Sequence, residues 1–353
     1  MELRPRSWRK IEQLIAKGVN IPNPLTLDIG EEVPVDRVSG RDVRICPGCR
    51  IYGERTLICD GARIGEEGPV TMENCQLGPR VALKGGYFRE SVFLRDSGMG
   101  SGAQVREGCI LEEEAGGAHC VGLKHTILFP FVTLGSLINF CDCLMAGGTS
   151  RKDHSEVGSS YIHFNFTPAG DKTTPSLIGD VPRGVMLNQP RIFLGGQGGM
   201  VGPVRLGFGN VVIAGSIVRQ DEPREGRLII GKTYRARTVK AGPERYGRIR
   251  TLVENNVRYL ANIAALEQWY RYVRKGFLQQ DAHGVFLHEG LLRNVALARD
   301  ERLKRLRALA EKMPALTVQG GRDAEAKRSF YNHLDEFNDR LRSGIESGSG
   351  LSH

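Results

Sequence analysis

The chain has 353 residues, 40% hydrophobic and 25% charged, with 45 glycines and only 7% aromatic residues. That length holds a well-buried core and leaves room for two domains, and the glycine excess argues against a helical bundle throughout and for many tight turns. The net charge of +9 is local: residues 233–312 carry 17 Lys+Arg against 8 Asp+Glu, and the remainder is balanced.

The opening "MELRPRSWRKIEQLIAKG" has no apolar core of a signal peptide, and no run of about 18 apolar residues exists to span a membrane. The expected location is cytoplasmic, with the eight cysteines reduced. Cys46 and Cys49 have Cys-x-x-Cys spacing, but no second pair follows at zinc-finger distance. They are expected to fill small buried or turn positions, with a metal or redox site as the alternative; the chemistry calls for no metal.

Residues 7–18 predict a short helix, with Ser7 as N-cap, Ile11, Leu14 and Ile15 as its apolar stripe, and Gly18 as its end. A linker closes this segment at residue 24. Over 25–232 branched apolar residues recur about every six positions, often followed by Gly: Ile45, Ile51, Ile58, Ile64-Gly65, Val70, Leu77-Gly78 and onward. The beat is clearest in "VGPVRLGFGNVVIAGSIV" (201–218). A helix needs a period of 3.6 and an amphipathic strand a period of 2. A six-residue beat with a small residue after the apolar one is the signature of a parallel β-helix, each beat one face of a triangular coil. The alternative is a β-sandwich whose turns fall at this spacing. "GGYFRESVFLRDS" and "GGTSRKDHSE" break the beat and are expected to protrude as loops.

The segment 233–342 is expected to be helical. Leu252, Val253, Val257, Leu260, Ile263, Leu266 and Tyr270 fall at three- and four-residue steps. "LLRNVALARDERLKRLRALAEK" predicts a second helix and "AEAKRSFYNHLDEFNDRLRSG" a third; 343–353 is expected to be a disordered tail. The basic helices are expected to cap the open end of the coil and to contribute oligomer contacts. Nucleic-acid binding is the alternative, which no motif supports.

With the hexapeptide coils in place, the sequence resembles the left-handed β-helix acyltransferases, and most of all the C-terminal acetyltransferase half of the bifunctional UDP-N-acetylglucosamine biosynthesis enzyme. "VGPVRLGFGNVVIAGSIVRQD" is similar to that family's late coils, and Asn165-Phe166, Lys172 and "LIGD" to its Asn-Tyr-Asp-Gly, Lys and "IIGDD". "VGLKHTIL" is a fainter echo of its Val-x-Val-Lys segment. The whole chain also resembles stand-alone bacterial proteins labelled UDP-N-acetylglucosamine pyrophosphorylase. The fold implied is a left-handed parallel β-helix, forming trimers with ligand sites between neighbouring subunits. The activity implied is acetyl-CoA-dependent transfer to an amino sugar phosphate or sugar nucleotide. A non-catalytic sugar-nucleotide-binding scaffold is a second reading. A pyrophosphorylase is a third, and the Gly-rich nucleotide-phosphate loop it requires has no match here.

Such a transfer needs a base near neutrality, a cation for the phosphate and donors for the oxyanion. His119, His125, His154 and His163 lie near the implied site. His163 alternates with Ile162 and Phe164; if those two point into the coil, His163 faces outward, as a base or as a solvated edge residue. His154, in the polar insertion, is a second candidate base or an ordinary loop histidine. The resemblance implies substrate contacts from Asn165 and Lys172, and Phe166 replaces the family's Tyr. Lys124 matches the Val-x-Val-Lys lysine, and Lys84 and Arg80 are further phosphate contacts or solvated charges. Counting on from Lys124, the family's catalytic His falls at Ser136. Gly196 and Ala214 match positions that line the pantetheine arm of CoA, or serve only as coil corners.

Overall fold

A computed structural model describes residues 4–164, 172–231 and 249–312, with positions 236, 238, 329, 332, 333, 336, 339, 340 and 343. The expected β-helix is present as a parallel solenoid of about 11 turns. All named strand pairs are parallel, and equivalent strands stack coil on coil. Face one runs from Asp28–Ile29 through Arg50–Tyr52 and Val70–Glu73 to Ile162–Phe164, Gly199–Val201 and Ile217–Val218. Face two runs from Leu57–Ile58 through Ser91–Phe93 and Cys109–Leu111 to Ser176–Ile178 and Arg205–Leu206. Face three holds ten two-residue strands, from Arg44–Ile45 to Leu228–Ile229. Strands Gly122–Leu128 and Asn139–Met145 run through the corner between faces one and two.

The interior is a column of branched residues, among them Ile45, Ile64, Leu83, Leu134, Val157, Leu194 and Val212, all buried. Stacking equivalent side chains makes each coil the lid of its neighbour, so burial accumulates along the axis. The glycines that follow the apolar beat serve close coil-to-coil approach. A Cβ on Gly158 would lie 2.4 Å from the Gly196 nitrogen, and one on Gly195 would lie 2.3 Å from the Ala214 nitrogen. The left-handed backbone of the corner between faces three and one falls on Gly102 and Gly215 and, between them, on the non-glycine residues Cys120, Leu137, Ser160 and Gln197.

The N-terminal helix spans Trp8–Lys17 and ends at Gly18, whose φ of 110° lets its amide reach back to Ile15 and Leu14. Ser7 makes no side-chain cap; its hydroxyl donates to the Ile29 carbonyl instead. Ile11 and Leu14 are buried, Ile15 is exposed, and Lys10 Nζ donates to the Gly30 and Val33 carbonyls, each at 2.8 Å. The helix thereby closes the first coil.

Two expectations about loops and caps need correction. The stretch at 85–97 does not protrude; it supplies strands Gly86–Arg89 and Ser91–Phe93. The insertion at 147–156 does leave the coil, turning between Ser150 and Asp153. Among the described residues, the two C-terminal helices lie along a face of the coil rather than over its end. Helix Gly284–Lys312 lies along face two against Gln76–Leu77, Ser91–Phe93 and Cys109–Leu111, and helix Ile249–Gln268 meets Ser176–Ile178. The reason is legible in face two itself: every residue of Ser91–Phe93, Cys109–Leu111 and Ser176–Ile178 is buried, so these strands carry apolar or small residues on both sides and need a cover. The helix between them is continuous to Leu278 through a π-helical stretch, Trp269–Arg274. The third expected helix lies mostly outside the described residues.

Three of the helical arginines are met by the solenoid's own acids. Arg274 pairs with Glu113, Arg293 with Glu90 at 3.2 Å and Arg302 with Asp142 at 2.7 Å. No helix among the described residues is long and apolar enough to cross a membrane.

Candidate functional site

The corner joining faces three and one carries an unbroken stack through five coils. Leu137 N–H donates to the His119 carbonyl at 3.1 Å, Ser160 to Ser136 at 2.8 Å, Gln197 to Ser159 at 2.8 Å and Gly215 to Gly196 at 2.9 Å. His119, Ser136, Ser159 and Gly196 are therefore consecutive rungs, spaced by roughly 4.8 Å, the distance between paired strands. Side chains join the rungs as well. His119 Nδ1 and Ser136 Oγ are 2.8 Å apart, and Ser136 N–H donates to Ser159 Oγ at 3.1 Å. His119 is exposed and Ser136 half-buried. Above them the corner narrows to Gly195, buried against Ala214, the half-buried Gly196 and the exposed Ala214, so no large side chain stands on it.

Face one leads away from this corner. Gly122 pairs with Asn139, Asn139 with Ile162, and Lys124 with Cys141. Lys124 is partly exposed and holds Glu107 at 2.8 Å. Burial pushes the Glu107 carboxyl up, but its hydrogen bond to Lys124 and the charges of Lys124 and Arg106 outweigh burial and hold it below its ordinary value. Lys124 is five residues along the same coil from His119, across face one from that corner.

Lys172 is exposed, with a left-handed φ of 55°. Its carbonyl accepts from Arg302 Nη1 at 3.2 Å, and Arg302 Nη2 binds Asp142 Oδ1 at 2.7 Å. Asn165 and Phe166 lie outside the described residues.

The expected outward histidine points the other way. In strand Ile162–Phe164 the two flanking residues are exposed and His163 is buried at 3% exposure. The alternation is as expected; its phase is reversed, because His163 is in register with Met200 and Val218, which fill the interior. His163 Nε2 lies 2.8 Å from Ser176 Oγ, and burial pushes the imidazole down to about 4. It is a neutral interior residue rather than a solvent-facing base. His125 is also buried, and burial lowers its pKa.

His154 lines a separate cavity of about 580 Å³ on the outer side of face three, with Asp153, Glu156, Arg191, Phe193 and Val211. Arg191 faces Asp153 there at 3.4 Å. Arg80 is held by Asp96 in a two-pronged pair, and Lys84 by Glu67 at 2.7 Å. Lys84 belongs to the same corner as His119, two coils earlier, as the pairing of Ala82 with Gly98 and Gly98 with Gly116 sets. The structure thus puts Lys84, Gly196 and Ala214 at the corner between faces three and one, sets Lys124 toward the other end of face one, and leaves Arg80 and His154 elsewhere.

The eight cysteines are unpaired. Burial pushes the Cys49 thiol up and raises Cys59 to about 12 and Cys75 to about 11. Among the described residues no group of three or more His, Cys, Asp or Glu gathers to hold a metal.

Among known proteins, no family model matches the sequence. It is 29% identical over 225 residues to the bifunctional protein GlmU of Thermotoga petrophila, covering 61% of this chain and 43% of that protein. It is 29% identical over 221 residues to GlmU of Pelobacter propionicus, covering 62% of this chain and 42% of that protein. The chain therefore resembles the C-terminal half of GlmU. It spans less than half the length of these GlmU relatives. A solved structure described as the polysialic acid O-acetyltransferase OatWY covers 69% of this chain at 13% identity, but with a TM-score of 0.19 that likeness carries no argument. The pair His119–Ser136 was missed as a pair by sequence reasoning, because its partners are 17 residues apart on different coils. The signal lay in the count from Lys124, which arrives at Ser136 and says nothing of the coil beneath.

Proposed function

We propose that the chain transfers an acyl group, most simply acetyl from acetyl-CoA, to a phosphorylated or nucleotide-linked amino sugar. The observation that carries this reading is the small-residue corner at Gly196 and the exposed Ala214, continuous with a face bearing Lys124, on coils similar to GlmU. A corner of small residues suits an extended pantetheine chain, because the chain can lie against it without side-chain obstruction. Lys124 and Lys172 suit a sugar phosphate as compact point charges. Asn165 and Phe166 complete the acceptor contacts in this reading. Assembly is as a trimer in the cytoplasm, so that a neighbouring copy walls the exposed face.

Purified protein incubated with acetyl-CoA and glucosamine 1-phosphate, then with a panel of amino sugars and sugar nucleotides, is expected to release free CoA thiol with at least one acceptor. The second reading, a sugar-nucleotide-binding scaffold, is favoured by one observation: a serine stands where the family's catalytic His falls. Absence of thiol release with every acceptor, together with a rise in Tm on adding a sugar nucleotide, decides for the scaffold.

A further inference from the structure

We propose that His119, supplied from the coil beneath Ser136, is the general base of the transfer, with Ser136 as its positioning residue. This rests on the acyltransfer reading above. Strand Gly116–Gly117 pairs with Thr133–Leu134, so two residues on His119 comes to rest against Ser136 at the same corner. The pair is 2.8 Å apart. Ser136 is itself fixed from above, its amide bound to Ser159 Oγ at 3.1 Å and its carbonyl to Ser160 N–H at 2.8 Å. Ser159 leads directly to Gly196, where the corner carries no large side chain. An imidazole therefore stands on the surface of the same stack, roughly 15 Å along it from the Gly196 rung at three strand spacings. An acyl carrier laid along the stack from Ala214 and Gly196 toward Ser136 points its thioester at that ring.

The other coil histidines lack this combination. His163 and His125 are interior, and His154 faces a cavity on the outer side of face three. His119 alone of the four is exposed.

In this arrangement Nδ1–H donates to Ser136 Oγ, which leaves the Nε2 lone pair free. The acceptor's nitrogen or hydroxyl oxygen forms a bond to the thioester carbonyl carbon as its proton passes to Nε2. The tetrahedral intermediate then breaks the C–S bond, and the CoA thiolate takes the proton back from the imidazolium. Ser136 holds the ring orientation throughout and forms no bond to the acyl group.

The test is a set of variants assayed by thiol release. His119→Ala is expected to lower kcat by about 100- to 10,000-fold, the range for loss of a general base, with KM for acetyl-CoA nearly unchanged. Ser136→Ala is expected to lower kcat more modestly and to alter the pH profile on its acid limb. In the His119→Ala background, Ser136→His is expected to recover much of the lost rate, since it returns an imidazole to the same corner; a merely structural serine would not behave so. Full turnover in His119→Ala overturns the proposal. If the wild type itself turns over no acceptor, the acyltransfer reading fails, and the pair is judged by histidine NMR of the wild-type protein with added CoA. An unmoved His119 imidazole signal then overturns the pair as a site, whereas a shifted one abolished by Ser136→Ala supports it.

Discussion

Arg302 offers the sharpest test of how the helices are fastened. Its side chain is 1% exposed, Asp142 is 5% exposed, and their charged atoms lie 2.7 Å apart. Arg302→Met removes one charge at similar length and leaves the Asp142 carboxylate buried without its partner, and it also frees the Lys172 carbonyl. Breaking a buried pair from one side costs about 3–5 kcal/mol, because the remaining charge keeps its desolvation penalty. Helix Gly284–Lys312 is the element held, so the loss should appear as easier local opening of that helix. At about 1.4 kcal/mol per tenfold, its slowest amides should lose roughly two to four powers of ten in hydrogen-exchange protection. The double variant Arg302→Met with Asp142→Leu should recover most of this, since an apolar pair in a dry site has no charge left to desolvate. A single-variant loss below a factor of ten, or a double variant no better than the single, refutes the reasoning.

Two further outcomes follow from buried groups. Burial pushes the Glu112 carboxyl up to about 7, against the opposing pull of Arg274, while Glu113 adds to the rise and the Tyr270 hydroxyl bond lowers it. An unfolded Glu titrates near about 4.3, so between those values the folded protein keeps a proton that the unfolded chain has lost. The resulting stability is present in full below pH ~4.3 and is lost as pH rises toward 7; Tm measured across pH 4.5–7.5 should fall less steeply in Glu112→Gln than in the wild type. His163→Ala should cost about 1–3 kcal/mol by leaving Ser176 Oγ short of a partner inside the coil, seen as a lower Tm. Its kcat per folded molecule should stay within severalfold, and a hundredfold loss at unchanged Tm would return His163 to the role of base.

The solenoid was legible because its rule is one-dimensional: a beat of six and a small residue need no knowledge of partners. What the beat does not carry is phase. At Ile162–Phe164 all three residues are large enough to fill a coil, and only the vertical register with Met200 and Val218 tells which turns inward. The placement of the helices was present as a second signal, the absence of alternation in "SVF", "CIL" and "SLI", which marks strands covered on both sides. The His119–Ser136 pair is harder to find. The number of residues per coil changes along the chain, with pairings such as Gly98 to Gly116 and Thr133 to Glu156 differing in separation, so no fixed offset brings the two together.

The helices lying along face two have a mechanical consequence. A bare stack of coils can fray one rung at a time from either end, each rung answering only to the next. Here Asn255 ties down Asp221 near one end, while the helix at Gly290 packs on Gln76 many coils away. The helical strip acts as a splint, so a coil at either end cannot peel without prying loose a rod that its distant siblings also grip.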